Sequence, residues 1–162
     1  MRLLTIAILG AAALLAACSE SDSAIDPSAT AGAGNSAQAT NTVEYFNVVV
    51  GDRVFFDTNR HELTSEAQYV LSKQAQWFAA NPGATAVIEG HADERGTREY
   101  NLALGARRAN SARAFLISQG TDGSRLRTVS YGKERPVALG SDEQSWSQNR
   151  RGVTVVAGAP TS

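Results

Sequence analysis

VIEGHADERGTREYNLALGARRAN, residues 87–110, joins a short apolar strand, a loop crowded with charge and a long helix. The run Ala86-Val87-Ile88 suits an inner strand, and Gly90 ends it where the chain turns. His91, Asp93, Glu94 and Arg95 follow within five positions. Gly96 then breaks the backbone, Thr97 offers a hydroxyl as helix N-cap, and Glu99 sits in the first turn, where a negative charge suits the macrodipole. The charges are therefore expected at a strand-to-helix junction.

Two faces of that helix can be read. Leu102, Ala106, Ala109, Ala112 and Leu116 recur at three- and four-residue intervals and are expected to form the core-facing stripe. Thr97, Asn101, Gly105 and Arg108 form a second, polar line, in which Gly105 costs about 1 kcal/mol relative to alanine in a helix interior. Close approach of another backbone or of a ligand would justify that cost. Arg108, one turn further on, carries a planar fork suited to a carboxylate or phosphate. The alternative is a glycine that merely permits tight packing, beside a solvated face of Arg107, Arg108 and Arg113.

Beyond this stretch, 162 residues, 43% of them hydrophobic, allow one domain with a modest core and a tail or two. A formal charge of -1 argues against a nucleic-acid binder, and a single cysteine excludes an intrachain disulfide. Met1-Arg2 is a short basic n-region, Leu3 to Ala17 is apolar, and Leu15-Ala16-Ala17-Cys18 places small residues before the cysteine, so residues 1–17 read as an export signal. The apolar run is shorter than the roughly 20 residues a bilayer core needs. An ordinary secretory peptide with an incidental cysteine remains the alternative. Leu-Ala-Ala-Cys is similar to the lipobox of bacterial lipoproteins. That resemblance makes Cys18 the mature N-terminus and the carrier of a covalent lipid, with Ser19 pointing to the outer membrane.

Residues 18–42 are then the lipidated N-terminus and a flexible tether, because Ser, Ala, Gly, Asn, Thr and Gln cannot repay the entropy of ordering. The stretch spans at most about 80 Å when extended and about 27 Å as a coil. A folded domain is expected over residues 43–157. It opens with Tyr45 to Val50 and Arg53 to Phe56, two strand pieces joined at Gly51-Asp52 or one bent strand. Asp57 and Asn59 read as turn residues of the loop that follows. Thr64 caps a first helix, with Leu63 as a staple; Ala67, Leu71, Ala75 and Phe78 form its buried stripe, Val70 widens it, and Trp77 stands at the core edge. Asn81-Pro82-Gly83 stops the helix, and a strand follows from Ala84 to Glu89.

The central helix is expected to end near Gly120, a left-handed cap. Arg125 to Tyr131 is a third strand, Ser141 or Asp142 caps a short helix through Trp146, and Val153 to Val156 is the last strand. Residues 158–162 read as a disordered tail. The alternation predicts an α/β two-layer sandwich (α+β) with helices on one face of a mixed sheet.

GHADERGTREYNLALGARRA closely resembles the signature of the OmpA-like peptidoglycan-binding domain, and VFFDTNRHEL, TVSYGKERP and SQNRRGV match other segments of that domain in the same order. The resemblance covers roughly Val43 to Val156 and implies a β-α-β-α-β-α-β fold that binds peptidoglycan non-covalently, through the diaminopimelate of the wall peptide. Carried over residue by residue, it gives Asp93 the ammonium and Arg108 the carboxylate of diaminopimelate. It also sets Phe56 and Asp57 at the border of the pocket and adds Thr97, Asn101, Leu104 and Arg150 to its lining. Arg108 lies about 16 Å along the helix axis from Thr97, so the loop is expected to fold back over the face cleared by Gly105. Asp93 and Arg108, both off the apolar stripe, are expected to be dispensable for folding.

Within the family the motifs are most similar to those of the lipid-anchored members. That resemblance implies a protein on the periplasmic face of the outer membrane, working with TolB and other Tol proteins in envelope integrity and in constriction at cell division. A wall-binding lipoprotein outside the Tol system is the alternative. An enzymatic alternative, a peptidoglycan hydrolase, would use His91, Asp93 and Glu94 for acid-base work or Ser130 as nucleophile. No strained nucleophile motif surrounds any serine, and two histidines thirty positions apart do not make a zinc signature. No enzyme, metal or cofactor is expected.

Overall fold

The computed structural model describes residues 40–158. The expected export signal, Cys18, most of the tether and residues 159–162 lie outside the described residues. The chain enters the fold as helix and not as strand: Thr42 caps a single turn, α1 (Val43–Tyr45), which continues as a π-helical segment over Phe46–Gly51. Burial there falls on Phe46 and Val50, four apart, while Asn47, Val48 and Val49 face outward, which is helical spacing. The Phe46 ring meets Trp77 and Phe78 edge-on, with centroids 4.8 and 5.9 Å away. That aromatic anchor overrides the β-propensity of Val48-Val49-Val50. Lys73 Nζ and Gln74 Nε2 donate to the carbonyls of Val49 and Gly51, taking up acceptors the wide helix leaves free.

The remaining elements alternate. They are β1 (Arg53–Phe55), α2 (Ser65–Ala80), β2 (Thr85–His91), α3 (Arg98–Ser118), a 3-10 turn (Gly123–Arg125), β3 (Leu126–Gly132), α4 (Glu143–Asn149) and β4 (Arg151–Ala157). Thr64, Thr97 and Asp142 cap α2, α3 and α4 through their side chains, and Gly120 takes φ +94° after α3. The strand order is β1-β4-β2-β3, with β2 and β3 parallel and β4 antiparallel to both β1 and β2. The expected two-layer α+β fold with a mixed sheet is therefore found. Val54, Ala86, Ile88, Leu126 and Val156 line the helix-covered face with Leu71, Phe78, Ala109 and Leu116, while Val87 and Val155 remain exposed on the other.

One face of α3 departs from its expected reading. Leu102 is half exposed and Ala106 only partly buried, whereas Asn101, Leu104, Gly105, Arg108, Ala109, Ala112 and Leu116 face inward. The cause is a backbone contact: a Cβ on Gly105 would stand 2.7 Å from the Gly90 carbonyl oxygen, so only glycine lets the helix lie against the end of β2. Gly105 thus clears room for β2 and not for the loop. The close approach rotates the polar line into the fold.

The 16 residues of α2 separate two ends of the domain by about 24 Å. At one end, Trp77 Nε1 donates to the carbonyl of Thr40 at 2.9 Å, so the indole is buried and also grips the entering chain. Arg125 gathers the carbonyls of Phe78, Asn81 and Ala84 at the same end. The C-terminal ends of β1 and β2 and the start of α3 lie at the other, where the chemistry-bearing residues collect.

Candidate functional site

Arg108 stands at the centre of that end and is fully buried. Its Nε donates to the Arg60 carbonyl at 2.8 Å, Nη1 to His91 at 2.8 Å and Nη2 to Asp57 at 3.0 Å, with the Phe56 ring 5.2 Å from the guanidinium carbon. One side chain therefore ties the loop after β1 to the end of β2. Burial lowers its pKa to about 10, against the opposing pull of Asp93, so the guanidinium stays charged at neutral pH. The ground for expecting Arg108 to be dispensable for folding, its place off the core-facing stripe, does not hold: it is fully buried and three backbone acceptors depend on it.

Asp93 is buried nearby. It accepts from the backbone N–H of Arg95 at 3.1 Å and from Arg95 Nε and Nη2 at 3.2 and 2.6 Å, and Arg150 Nη1 lies 3.5 Å from its Oδ2. Burial alone would raise its pKa, but the bonds and charge of Arg95, with Arg150, hold it below the ordinary carboxylate value. Arg150 is itself buried and donates to the Phe56 carbonyl at 3.0 Å and to Glu143 at 2.6 Å. Arg150 and Asp93 both act electrostatically on Arg108, with opposite sign. The Asp93 carboxylate is thus set among three guanidiniums, those of Arg95, Arg108 and Arg150, with Glu143 as a second carboxylate on the far side of Arg150.

The loop between β2 and α3 is pinned along its length. Lys133 Nζ donates to the carbonyls of Glu94 and Gly96, Asn101 Nδ2 donates to Arg95 O, and Trp146 Nε1 donates to Glu94. The Arg95 guanidinium stacks 4.1 Å above the Trp146 ring. Two clefts open here. One, of about 570 Å³, is lined by Thr58, Asn59, Arg95, Gly96, Thr97 and Tyr100. The other, of about 410 Å³, includes Phe56, Asp57, Glu66, Gln148 and Arg150.

Phe56, Asp57, Asp93, Thr97, Asn101, Arg108 and Arg150 are accordingly gathered at one end of the domain. Thr97 serves the loop through an N-cap and Asn101 through a hydrogen bond from its side-chain amide, and Leu104 is buried on α3 outside both clefts. Arg95 and Trp146 were not singled out from the sequence. Arg95 belonged to the charged quartet, but nothing in the sequence tied it to a tryptophan fifty positions on.

The groups named for catalysis are held by the fold. His91 is buried with Nε2 3.3 Å from Glu89 and no hydrogen-bond partner for Nδ1, and its pKa is lowered to about 4 by burial and by the charges of Arg151 and Arg135, so the ring is neutral. Ser130 Oγ donates to the Leu102 carbonyl at 2.7 Å. Among the described residues no cluster of three His, Cys, Asp or Glu could hold a metal ion, and no helix is long and apolar enough to cross a membrane.

The sequence profile of the OmpA family matches residues 55–150, from β1 to the end of α4. The peptidoglycan-associated lipoprotein of Rhizobium meliloti (strain 1021) is 52% identical over 145 residues, covering 90% of this chain and 82% of that one. The protein of the same name from Mesorhizobium japonicum is 56% identical over 126 residues, 78% of this chain and 75% of its own. The crystal structure of the peptidoglycan-associated lipoprotein from Burkholderia pseudomallei is 43% identical, with a TM-score of 0.64, and covers 65% of this chain and 90% of that chain. This chain therefore belongs to the OmpA family, among its peptidoglycan-associated lipoproteins. The family is a structural, non-enzymatic one.

Proposed function

We propose that the protein is held in the outer membrane by a lipid on Cys18, faces the periplasm, and binds peptidoglycan non-covalently through the end of the domain that carries Asp93. The observation that carries the reading is a buried carboxylate, Asp93, bonded by Arg95 and Arg150 and lying in the field of Arg108. Diaminopimelate ends in a carbon bearing both an ammonium and a carboxylate. Asp93 is suited to the ammonium. Arg108, expected to grip the carboxylate, is instead fully buried on three backbone carbonyls and lines neither cleft, so its part is the charge it adds beside Arg150. Arg108 also holds the walls, since it fixes Asp57 and Arg60 on one side and His91 on the other. Phe56, Asp57, Thr97, Asn101, Leu104 and Arg150 complete the lining or support it.

The proposed organisation is an export signal over residues 1–17, the lipidated N-terminus and tether over 18–42, the wall-binding domain over 43–157, and a tail over 158–162. Within the described residues the chain enters the domain at Thr40, at the end of α2 away from Asp93. Work in the Tol system with TolB, in envelope integrity and constriction at division, is the finer reading. It rests on the likeness to relatives named as peptidoglycan-associated lipoproteins. A pull-down with TolB at micromolar concentration separates it from wall binding outside that system.

Calorimetry with a diaminopimelate-containing wall peptide and the full chain in detergent tests the site. Truncating one member of a desolvated charge pair costs about 2–5 kcal/mol, so Asp93→Ala is expected to weaken binding roughly thirtyfold or more. Near-normal affinity in the folded variant would place the site elsewhere.

A further inference from the structure

The carboxylate assigned to the wall ammonium is already occupied. Arg95 covers both Asp93 oxygens, Nε on Oδ1 and Nη2 on Oδ2, and its backbone N–H adds a third bond to Oδ1. The Asp93 side chain is 9% exposed, whereas the Arg95 side chain is 39% exposed. The covering group is thus the reachable one, and it lies in the cleft shared with Gly96, Thr97 and Tyr100. A second restraint holds it there: the guanidinium rests on the Trp146 ring, and that ring is itself fixed by Glu94.

We infer that Arg95 is a resident cation on Asp93 which an arriving ammonium must displace, and that this exchange makes the site selective for zwitterionic over purely cationic ligand ends. The inference rests on the proposed wall-binding reading of the site. Charge balance supplies the selectivity. A lysine-type ammonium that takes Asp93 releases Arg95 beside Arg150 and Arg108; the carboxylates near it, Glu94 and Glu143, are already bonded to Trp146 and Arg150, and the ligand brings none of its own. A diaminopimelate end brings its own carboxylate with the ammonium, and the released Arg95, still within reach of Trp146, can meet it. Like charge left unpaired at a binding site discriminates as effectively as a new attraction. A site occupied by its own side chain binds with an affinity reduced by the fraction of time it is open.

The test is calorimetry on the full chain in detergent with two wall peptides, identical except for diaminopimelate or lysine at the third position. Wild-type protein is expected to favour the diaminopimelate peptide. Arg95→Ala keeps the backbone N–H to Asp93 and the carbonyl that Asn101 holds, so the loop retains those bonds. In that variant the lysine peptide is expected to gain roughly three- to tenfold, the size of a partly exposed ion pair, and the preference to shrink accordingly. Trp146→Phe, which keeps a weaker aromatic shelf, should move the preference the same way by less. Equal binding of the two peptides by wild type, or an unchanged or larger preference in Arg95→Ala, overturns the inference. Asp93→Ala separates the two levels: if it leaves both affinities intact, the wall-binding reading itself fails. If it abolishes binding while Arg95→Ala changes nothing, only the resident-cation inference fails.

Discussion

Gly90 and Gly105 meet backbone to backbone: a Cβ built on Gly90 would overlap the Gly105 carbonyl, and one on Gly105 would stand 2.7 Å from the Gly90 oxygen. These backbone atoms cannot swing aside, and the Ser130 hydroxyl, bonded to the Leu102 carbonyl, also lies in the path of a Cβ on Gly105. Gly105→Ala gains about 1 kcal/mol of helix propensity but, because the contact is with backbone, meets an overpacking cost at the upper end of about 1–3 kcal/mol. The variant is expected to be less stable in urea denaturation despite its better helix former. Gly90→Ala should be worse still. A Gly105→Ala protein as stable as wild type would show that the contact does not set the position of α3.

Arg108 is expected to behave as a core residue. Arg108→Ala strands the carbonyls of Asp57, Arg60 and His91, and each unsatisfied buried acceptor costs about 1–3 kcal/mol, less whatever water can recover by entering. A loss of several kcal/mol in unfolding free energy is the expected result. Arg108→Lys, able to reach one of the three, should fall between. Any binding defect in Arg108→Ala is therefore to be read only after its melt, whereas Asp93→Ala leaves those three bonds in place.

Stability is expected to fall with acidification in a window set by His91. Its folded pKa of about 4 lies below the ordinary 6.5, so the unfolded chain binds the proton more readily. The stabilisation is therefore complete above about pH 6.5 and is lost as pH falls towards 4. The gap corresponds to roughly 3 kcal/mol at 1.36 kcal/mol per pH unit. Asp93, whose pKa is lowered from 3.8, acts only at more acid pH. Urea titrations at pH 7, 5.5 and 4.5 check this. His91→Phe, which keeps a ring against Tyr131, should flatten the slope.

Cys18→Ser is expected to abolish metabolic lipid labelling and to prevent stable retention in the outer membrane, because Cys18 is the chain's single cysteine. Unchanged labelling would rule out the lipobox.

The sheet and the three later helices were legible because periodicity, caps and stop signals agreed, as at Thr64, Thr97 and Asn81-Pro82-Gly83. The segment at Tyr45 to Val50 was not. Its β-branched run outweighs any local helix signal, and the aromatic partners of Phe46 lie more than thirty positions away on α2. The inward face of α3 was misread for a related reason. Hydrophobicity places Leu102 inside and Arg108 outside, but the glycine pair and three backbone carbonyls decide the rotation, and neither has a hydropathy. At the site, the residue types and their common location could be read from the chain. The stacking of Arg95 on Trp146 joins two elements, and spacing does not encode it.

Trp77 and Asp93 stand at opposite ends of the domain, and β2 runs from one end towards the other. Load from a chain entering at Thr40 would reach β4 through β1, and load from a partner held at Asp93 would reach it through β2. Hydrogen-bonded to β3 on one side and β4 on the other, β2 would take that load in shear, with many ladder bonds resisting together and none peeled off singly. The indole clasp on Thr40 would be the first bond to feel the tension, ahead of the sheet. Loaded in this way, the domain would act as a tie-rod that yields first where the chain enters.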